Sequence, residues 1–525
     1  MENNGLMLFL ASLSGAILAF LFAVILMILF ARPLIQWILG RWIRRLMSDR
    51  YPENIWEMVT AMTRTSPQMV VENSLRAQSG NIIERPFGSP RKFLNFDGLI
   101  FSPAQLATLP AQENAPVDVK ITIGPKSRKP LALDIPILAG AMGYGIGVTE
   151  KVRLAVAKGT AAVGTATNSG EGGFLPEDRA NAKYYILQYN SAAWNKDPAI
   201  LKQADAIEIH IGQGASAGSA SFIPPEYMQG KAREILQVPD GETVVIPSRH
   251  KEIQSVQDLQ TLVANLRQIT GGVPIGVKIC ASAKLEADLE AAIQAAVDFI
   301  SIDGGQAGTK GGPPILEDDF GLPTIFALSR AVAYFKKRDV KGQISVLIGG
   351  GFNNPGECLK ALALGADGIF MGTAVLWAMT HDQVTKTIPW EPPTELVFYP
   401  GSRTEQFDAD AAADHLKNFF HSFVEEIKVG IRALGKTSLQ EVSRDDLTAL
   451  DEWTSRVTKI PCAYEPFSLP DQNDQQMVHV SDEERLSNPD HDSGQILHAE
   501  SQKSESRPKE TVKITMKKRW SALFR

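Results

Sequence analysis

Ile344-Ser-Val-Leu-Ile-Gly349-Gly350-Gly351-Phe352 and, after one helix-like stretch, Gly365-Ala-Asp-Gly-Ile-Phe-Met-Gly372-Thr373 determine what kind of sheet this chain builds. Each is a short apolar run of β type that ends in glycine. Glycine after a strand lets backbone N–H groups come close to a phosphate, and the N-terminus of the next helix favours its charge. Either turn alone reads equally well as a tight strand-to-helix connection. Two in succession match the last two strands of a barrel, where phosphate sits.

Similar runs precede them: Ile135–Ala141, Ala161–Thr165, Tyr185–Tyr189, Ala206–Ile211, Pro274–Ile279 and Phe299–Ile302. With Ile344–Ile348 and Gly368–Met371 these make eight strand candidates. Helix-like stretches stand among them at Glu150–Lys158, Val256–Ile269, Leu285–Ala296, Thr324–Lys337 and Pro355–Leu364. Near-continuous apolar strands separated by helices indicate a parallel sheet covered on both faces. Eight units over about 250 residues predict an α/β fold, a (β/α)8 TIM barrel, with a doubly wound open sheet as the structural alternative.

Lys278 is a lone cation in the apolar strand Pro274-Ile-Gly-Val-Lys278-Ile. A buried lysine is costly without a partner. At a barrel strand end it can face a ligand, and a cation beside the N1/O2 edge of a flavin would stabilise the reduced ring. The plainer reading pairs it with an acidic neighbour. Other polar, glycine-rich loops follow strands: Gly140-Ala-Met142-Gly143-Tyr144-Gly145, Thr167-Asn168-Ser169-Gly170-Glu171-Gly172-Gly173, His210-Ile-Gly-Gln213-Gly214-Ala-Ser216 and Asp303-Gly304-Gly305-Gln306-Ala-Gly308-Thr309. Each alone is an ordinary turn sequence. Together they put polar side chains and bare backbone on one rim.

Of 525 residues, 44% are hydrophobic and 21% charged, which suits a globular body. A net charge of −6 offers no basic excess to neutralise phosphates, so no nucleic-acid partner is expected. Cys280, Cys358 and Cys462 lie too far apart for a zinc site, a cluster or a disulfide framework. His210, His250, His381 and His415 lack metal-ligand spacing, and no metal is expected.

From Gly5 to Ala31 the chain reads GLMLFLASLSGAILAFLFAVILMILFA, without a charge. That exceeds the roughly 20 residues needed to span a bilayer core. Arg32, Arg41, Arg44, Arg45 and Arg50 follow, with Trp37 and Trp42 among them, which marks this end as cytoplasmic. The expectation is a single-pass membrane anchor over residues 1–31, with a cytoplasmic body; a cleaved signal segment or a buried helix is the alternative. Beyond it come a basic interfacial segment at 32–50, an extension packing on the barrel at 51–130, the barrel at 131–465, and a polar disordered tail at 466–525.

Gly-Ala-Met142-Gly-Tyr-Gly, Asn168-Ser-Gly-Glu-Gly-Gly, Gln213-Gly-Ala, Ser248-Arg-His250-Lys-Glu-Ile253, Val277-Lys278, Asp303-Gly-Gly and the final glycine pair occur in the order found in glutamate synthases. Across roughly residues 90–430 the chain resembles the FMN-binding synthase domain of that family. The resemblance implies FMN as cofactor. Met142, Gly143 and Asn168 would flank the flavin, with Lys278 at its N1/O2 side. Gly349, Gly350, Gly351, Gly372 and Thr373 would hold the phosphate, and Asp303, Gly304 and Gly305 would close the floor. Ser169, Gly170, Glu171 and Gln213 would bind 2-oxoglutarate or its imine, with Lys278 and Glu171 as the catalytic pair. The implied reaction reduces 2-iminoglutarate, formed from 2-oxoglutarate and ammonia.

Three departures qualify this. A membrane helix occupies the end where a glutaminase domain would stand, so ammonia is expected free or from a partner. The stretch from Leu376 to Pro393 has no cysteine, so no iron–sulfur cluster is expected and a separate electron donor is. The family's Gln-Gly-Ala-Lys-Pro-Gly-Glu-Gly-Gly appears as Gln213-Gly-Ala-Ser216-Ala-Gly218-Ser219-Ala-Ser221, which bears on the substrate. A flavin enzyme with another substrate, fed by a membrane donor, and a non-catalytic membrane-tethered scaffold are the alternatives.

Overall fold

The structure, a computed structural model, describes residues 2–466 apart from Gln229 and Pro400. Eight short runs become parallel strands: β1 (Ile137–Ala139), β2 (Ala166–Asn168), β3 (Tyr184–Tyr189), β4 (Ala206–His210), β5 (Ile275–Cys280), β6 (Phe299–Asp303), β7 (Ser345–Gly349) and β8 (Gly368–Met371). Their order in the sheet is β1-β8-β7-β6-β5-β4-β3-β2, which is chain order bent into a ring. This is a (β/α)8 barrel, and the open-sheet alternative falls.

The backbone ladder runs around the ring except between β1 and β2. At its foot the Asp134 N–H donates to the Gly164 carbonyl at 2.9 Å, and side chains close the rest of that seam. The Thr165 hydroxyl donates to the Ile137 carbonyl at 2.6 Å. The buried Arg153 guanidinium donates to the carbonyls of Met142 and Asn168 at 3.0 and 2.8 Å, one beyond each strand or at its end. Its charge is balanced by buried Asp178 at 2.6 Å. An arginine fully buried is tolerable only with such complete pairing.

The second strand differs from expectation. Ala161–Val163 belongs to the helix Glu150–Val163, Gly164 ends it in a left-handed turn (φ 72°), and β2 starts only at Ala166. An apolar Ala-Ala-Val run looks the same whether it closes a buried helix or begins a buried strand. Glycine supplied the missing boundary, since Gly164 is a helix C-cap. The long helix Ala409–Ala433 packs beside the helix Glu150–Val163, so tightly that a Cβ on Gly159 would meet Leu416 at 2.9 Å.

At the other end, one helix runs from Glu2 to Ser48. Its portion Phe9–Ser48 is long and apolar enough to cross a membrane, and its most apolar window is 0% buried. Helices Trp56–Arg64 and Pro67–Ser79 follow, and neither has a buried residue. Next, Glu84–Ser89 crosses the loop after β6: Arg85 and Gly312 exchange backbone hydrogen bonds at 2.9 and 3.0 Å, and Phe87 N–H donates to Thr309 at 2.9 Å. Arg85 also pairs with Glu72 at 2.9 Å, Glu317 at 2.8 Å and Asp318 at 2.6 Å. The chain divides at Glu465, and the barrel belongs to the first unit. The polar tail expected over 466–525 lies, beyond Pro466, outside the described residues.

Candidate active site at the barrel mouth

Strand alternation places every second side chain inside the barrel. On β4 those are Glu208 and then His210, at the strand's C-terminal end. Glu208 is wholly buried. One of its oxygens accepts from Asn168 of β2 and Gln188 of β3, each at 2.9 Å, and the other accepts from Ser301 of β6 at 2.6 Å. This polar layer ties four strands together beneath the mouth.

The layer above holds the candidate chemistry. His210 stands in register beside Lys278 of β5. The Lys278 ammonium is 3.2 Å from Asp303 of β6 and 5.9 Å from the ring centre of Phe370 on β8. Glu171, from the loop after β2, reaches His210 Nδ1 at 3.0 Å. Burial alone would push Lys278 down, but Asp303, Glu208 and Glu171 outweigh it and hold the ammonium above the usual lysine range. Burial likewise pushes Glu171 up, yet His210 and Lys278 more than offset this and keep the carboxyl below its ordinary value. Both readings of Lys278 therefore hold at once: it is paired, and it faces the mouth. Nε2 of His210 and the side-chain oxygen of Gln188 are buried and make no hydrogen bond.

The two glycine turns sit at the C-terminal ends of β7 and β8. Gly350 and Gly351 adopt left-handed backbone at φ 114° and 79°. Among the described residues their N–H groups make no backbone hydrogen bond. Gly372 opens the helix Thr373–Thr380 without a side-chain cap. A Cβ at Gly372 would stand in open space, with nothing within 4 Å. First-turn amides of an uncapped helix carry a partial positive charge, so this arrangement suits an anion. Gly349 serves a different end, because a Cβ there would meet Asp303 Oδ1 at 2.6 Å.

The remaining sequence-predicted residues divide into those at the mouth and those that build it. Lys278, Glu171 and Asp303 come together. Met142 is buried in the loop after β1, where Gly143 packs backbone against backbone on the loop after β2: a Cβ on Gly143 would meet Gly172 N at 2.5 Å, and one on Gly170 would meet Gly143 N at 2.4 Å. Asn168 is engaged with Glu208 and with Gly170 N–H at 3.0 Å. The Ser169 hydroxyl accepts from Gln188 N–H at 2.9 Å and donates to the Gly170 carbonyl at 3.1 Å, which commits it to the framework. Gly304 and Gly305 donate to Gly349 and Leu322 at 3.0 and 2.7 Å. Gln213 lies in the turn after β4, its carbonyl accepting from Ala217 at 2.9 Å.

Sequence reasoning missed Glu208, Gln188 and Ser301, and gave His210 no role of its own. The rule that singled out Lys278, a charge inside an apolar strand, applies equally to Ala-Ile-Glu208-Ile-His210. Elsewhere, His381, Asp382 and His415 bring ligand atoms within 4.8 Å of one another on the surface, a proximity that their spacing along the chain does not show.

Residues 97–437 match the family model described as the conserved region in glutamate synthase. The chain is 27% identical over 398 residues to a glutamate synthase large subunit-like protein of Rhizobium meliloti, covering 72% of this chain and 90% of that one. It is 26% identical over 407 residues to an archaeal-type glutamate synthase (NADPH) of Thermotoga maritima, covering 73% and 80%. With the archaeal glutamate synthase (NADPH) of Archaeoglobus fulgidus it shares 30% identity over 342 residues, covering 63% and 66%.

Proposed function

Because the chain belongs to the glutamate synthase family, we propose that it is an FMN-dependent oxidoreductase that reduces 2-iminoglutarate, formed from 2-oxoglutarate and ammonia, to glutamate. The observation that carries this reading is the buried Lys278 at the mouth, on the same rim as two turns with open amides. Gly350, Gly351, Gly372 and Thr373 would hold the FMN phosphate on backbone N–H groups, with Gly349 keeping Asp303 in place. Lys278 would stand at the N1/O2 edge, and Met142, Gly143 and Asn168 would flank the ring. Bound FMN supplies hydride transfer, a chemistry that side chains lack.

The chain's own residues position and polarise. Asp303 fixes the Lys278 ammonium, so that its charge is already aimed before any ligand arrives. The wholly buried Glu208 beneath ties β2, β3, β4 and β6 into a fixed floor. Glu171 orients the His210 ring. The helix Glu2–Ser48 would anchor the protein by a single pass, its catalytic body cytoplasmic. Ammonia would arrive free or from a partner amidotransferase, and electrons from a separate reductase or membrane donor.

The test is an absorbance spectrum of the detergent-purified chain, with released cofactor identified by mass, followed by anaerobic turnover with 2-oxoglutarate and ammonium. FMN near one per chain and glutamate formation are expected. Failure to take up flavin even on reconstitution would overturn every flavin reading. A second reading keeps the flavin and changes the substrate. It is favoured by the loop after β4, where Ala215 and Ala217 are held in left-handed backbone at φ 62° and 50°. Flavin without glutamate formation, and turnover with another oxo or imino acid, would select it.

A further inference from the structure

His210 has no role in the reading above beyond being oriented, yet its surroundings are those of a reacting group. Its backbone is held from two sides. The neighbouring amides of Ile211 and Gly212 donate to the Lys278 carbonyl at 3.0 and 3.2 Å, and the His250 ring nitrogen Nε2 bonds to the His210 carbonyl at 2.8 Å. The ring is held at one nitrogen only: Glu171 accepts from Nδ1 at 3.0 Å. Nε2 is buried with no partner. The residue as a whole is 8% exposed. An unpartnered nitrogen in such a place costs stability. Alternation from Glu208 directs the ring into the barrel, and register sets it beside Lys278.

We propose that His210 is the proton-delivering residue of this site and Glu171 its positioning residue; this rests on the imine-reducing reading above. With Nδ1–H bonded to Glu171, Nε2 is the nitrogen that faces the substrate. As hydride from a reduced flavin reaches the imino carbon, the C=N π pair moves onto nitrogen. That nitrogen takes the Nε2 proton, an N–H bond forming as the imidazolium N–H breaks. Carbon gains two electrons with the hydride, the flavin is oxidised by the same two, and neutral imidazole is left to be reprotonated from solvent.

The experiment uses the full chain in detergent, reconstituted with FMN, photoreduced under argon and reoxidised with 2-oxoglutarate and ammonium chloride. His210→Ala is expected to slow reoxidation about 100-fold or more, the usual worth of a general acid, and added imidazole to restore at least about a tenth of the lost rate. His210→Gln, which fills the space without a transferable proton, is expected to show the same slowing without rescue. In both variants flavin content and the 2-oxoglutarate-induced change in the oxidised flavin spectrum are expected to persist. Glu171→Gln is expected to fall between them and the native protein. Reoxidation of His210→Gln at near-native rate would overturn the proton step alone. So would loss of the 2-oxoglutarate spectral change in both variants, which marks a binding role. A native protein that holds FMN and is never reoxidised by the imine-forming mixture would overturn the substrate reading and this step together.

Discussion

Lys278 and Asp303 form a buried pair in which each is the other's main compensation. Lys278→Met would leave Asp303 charged and unpaired, and is expected to destabilise the fold by about 3–5 kcal/mol, read by chemical denaturation. Lys278→Met with Asp303→Asn should recover much of that loss while still failing to bind flavin tightly. Glycines at the mouth separate in the same way. Gly372→Ala meets open space and ordinary backbone (φ −108°), so stability should stay within about 0.5 kcal/mol while FMN affinity falls, measured by retention through gel filtration. Gly143→Ala would drive a methyl onto the Gly172 amide at 2.5 Å and should cost about 1–3 kcal/mol whether or not flavin is present. Both glycines read alike in sequence, and only the space around them tells a ligand contact from a packing contact.

Seven of the barrel strands were legible because a parallel strand covered on both faces is mostly apolar, and that composition is visible without a structure; the polar β2, Ala166-Thr-Asn168, was not. Lys278 was legible as the exception to that apolar composition. Glu208 was missed for a physical reason: its three partners, Asn168, Gln188 and Ser301, come from three other strands, and pairing across a barrel leaves no trace in local spacing. His210 and Glu171 lie far apart in the chain and meet only because the end of β4 and the loop after β2 reach one rim. The segment Glu84–Ser89 was likewise unreadable, since its partners follow β6. Its partner Glu317, on the helix Pro314–Asp319, gives a pH test. Burial outweighs Arg85 and pushes this carboxyl up to about 7 from an ordinary value near 4.5. A carboxyl raised by folding contributes stability that is full below the unfolded value and is lost as pH rises through about 7. Glu317→Gln is therefore expected to flatten the decline in stability between pH 5 and pH 8, followed by denaturant midpoints across that range; an unchanged slope would assign the decline elsewhere.

For the molecule as a whole, the helix Glu2–Ser48 makes a direct prediction. The expressed protein should float with lipid vesicles and resist alkaline carbonate extraction, whereas release into the soluble fraction would reject the anchor. The barrel poses a subtler question, since its staves are joined by ladder hydrogen bonds at every boundary but that between β1 and β2. There the closure is a rivet: Arg153 on two carbonyls, Thr165 on a third, and a single backbone bond from Asp134 to Gly164 at the foot. Amides facing a ladder exchange with solvent only when strands part, while a riveted edge can loosen by side-chain rotation. The β1 and β2 loops proposed to flank the flavin stand on either side of this edge. Deuterium uptake should thus begin at Ile137–Met142 and Thr165–Gly170, and a bound ring spanning both loops would act as the missing stitch, slowing uptake there more than anywhere else in the cylinder.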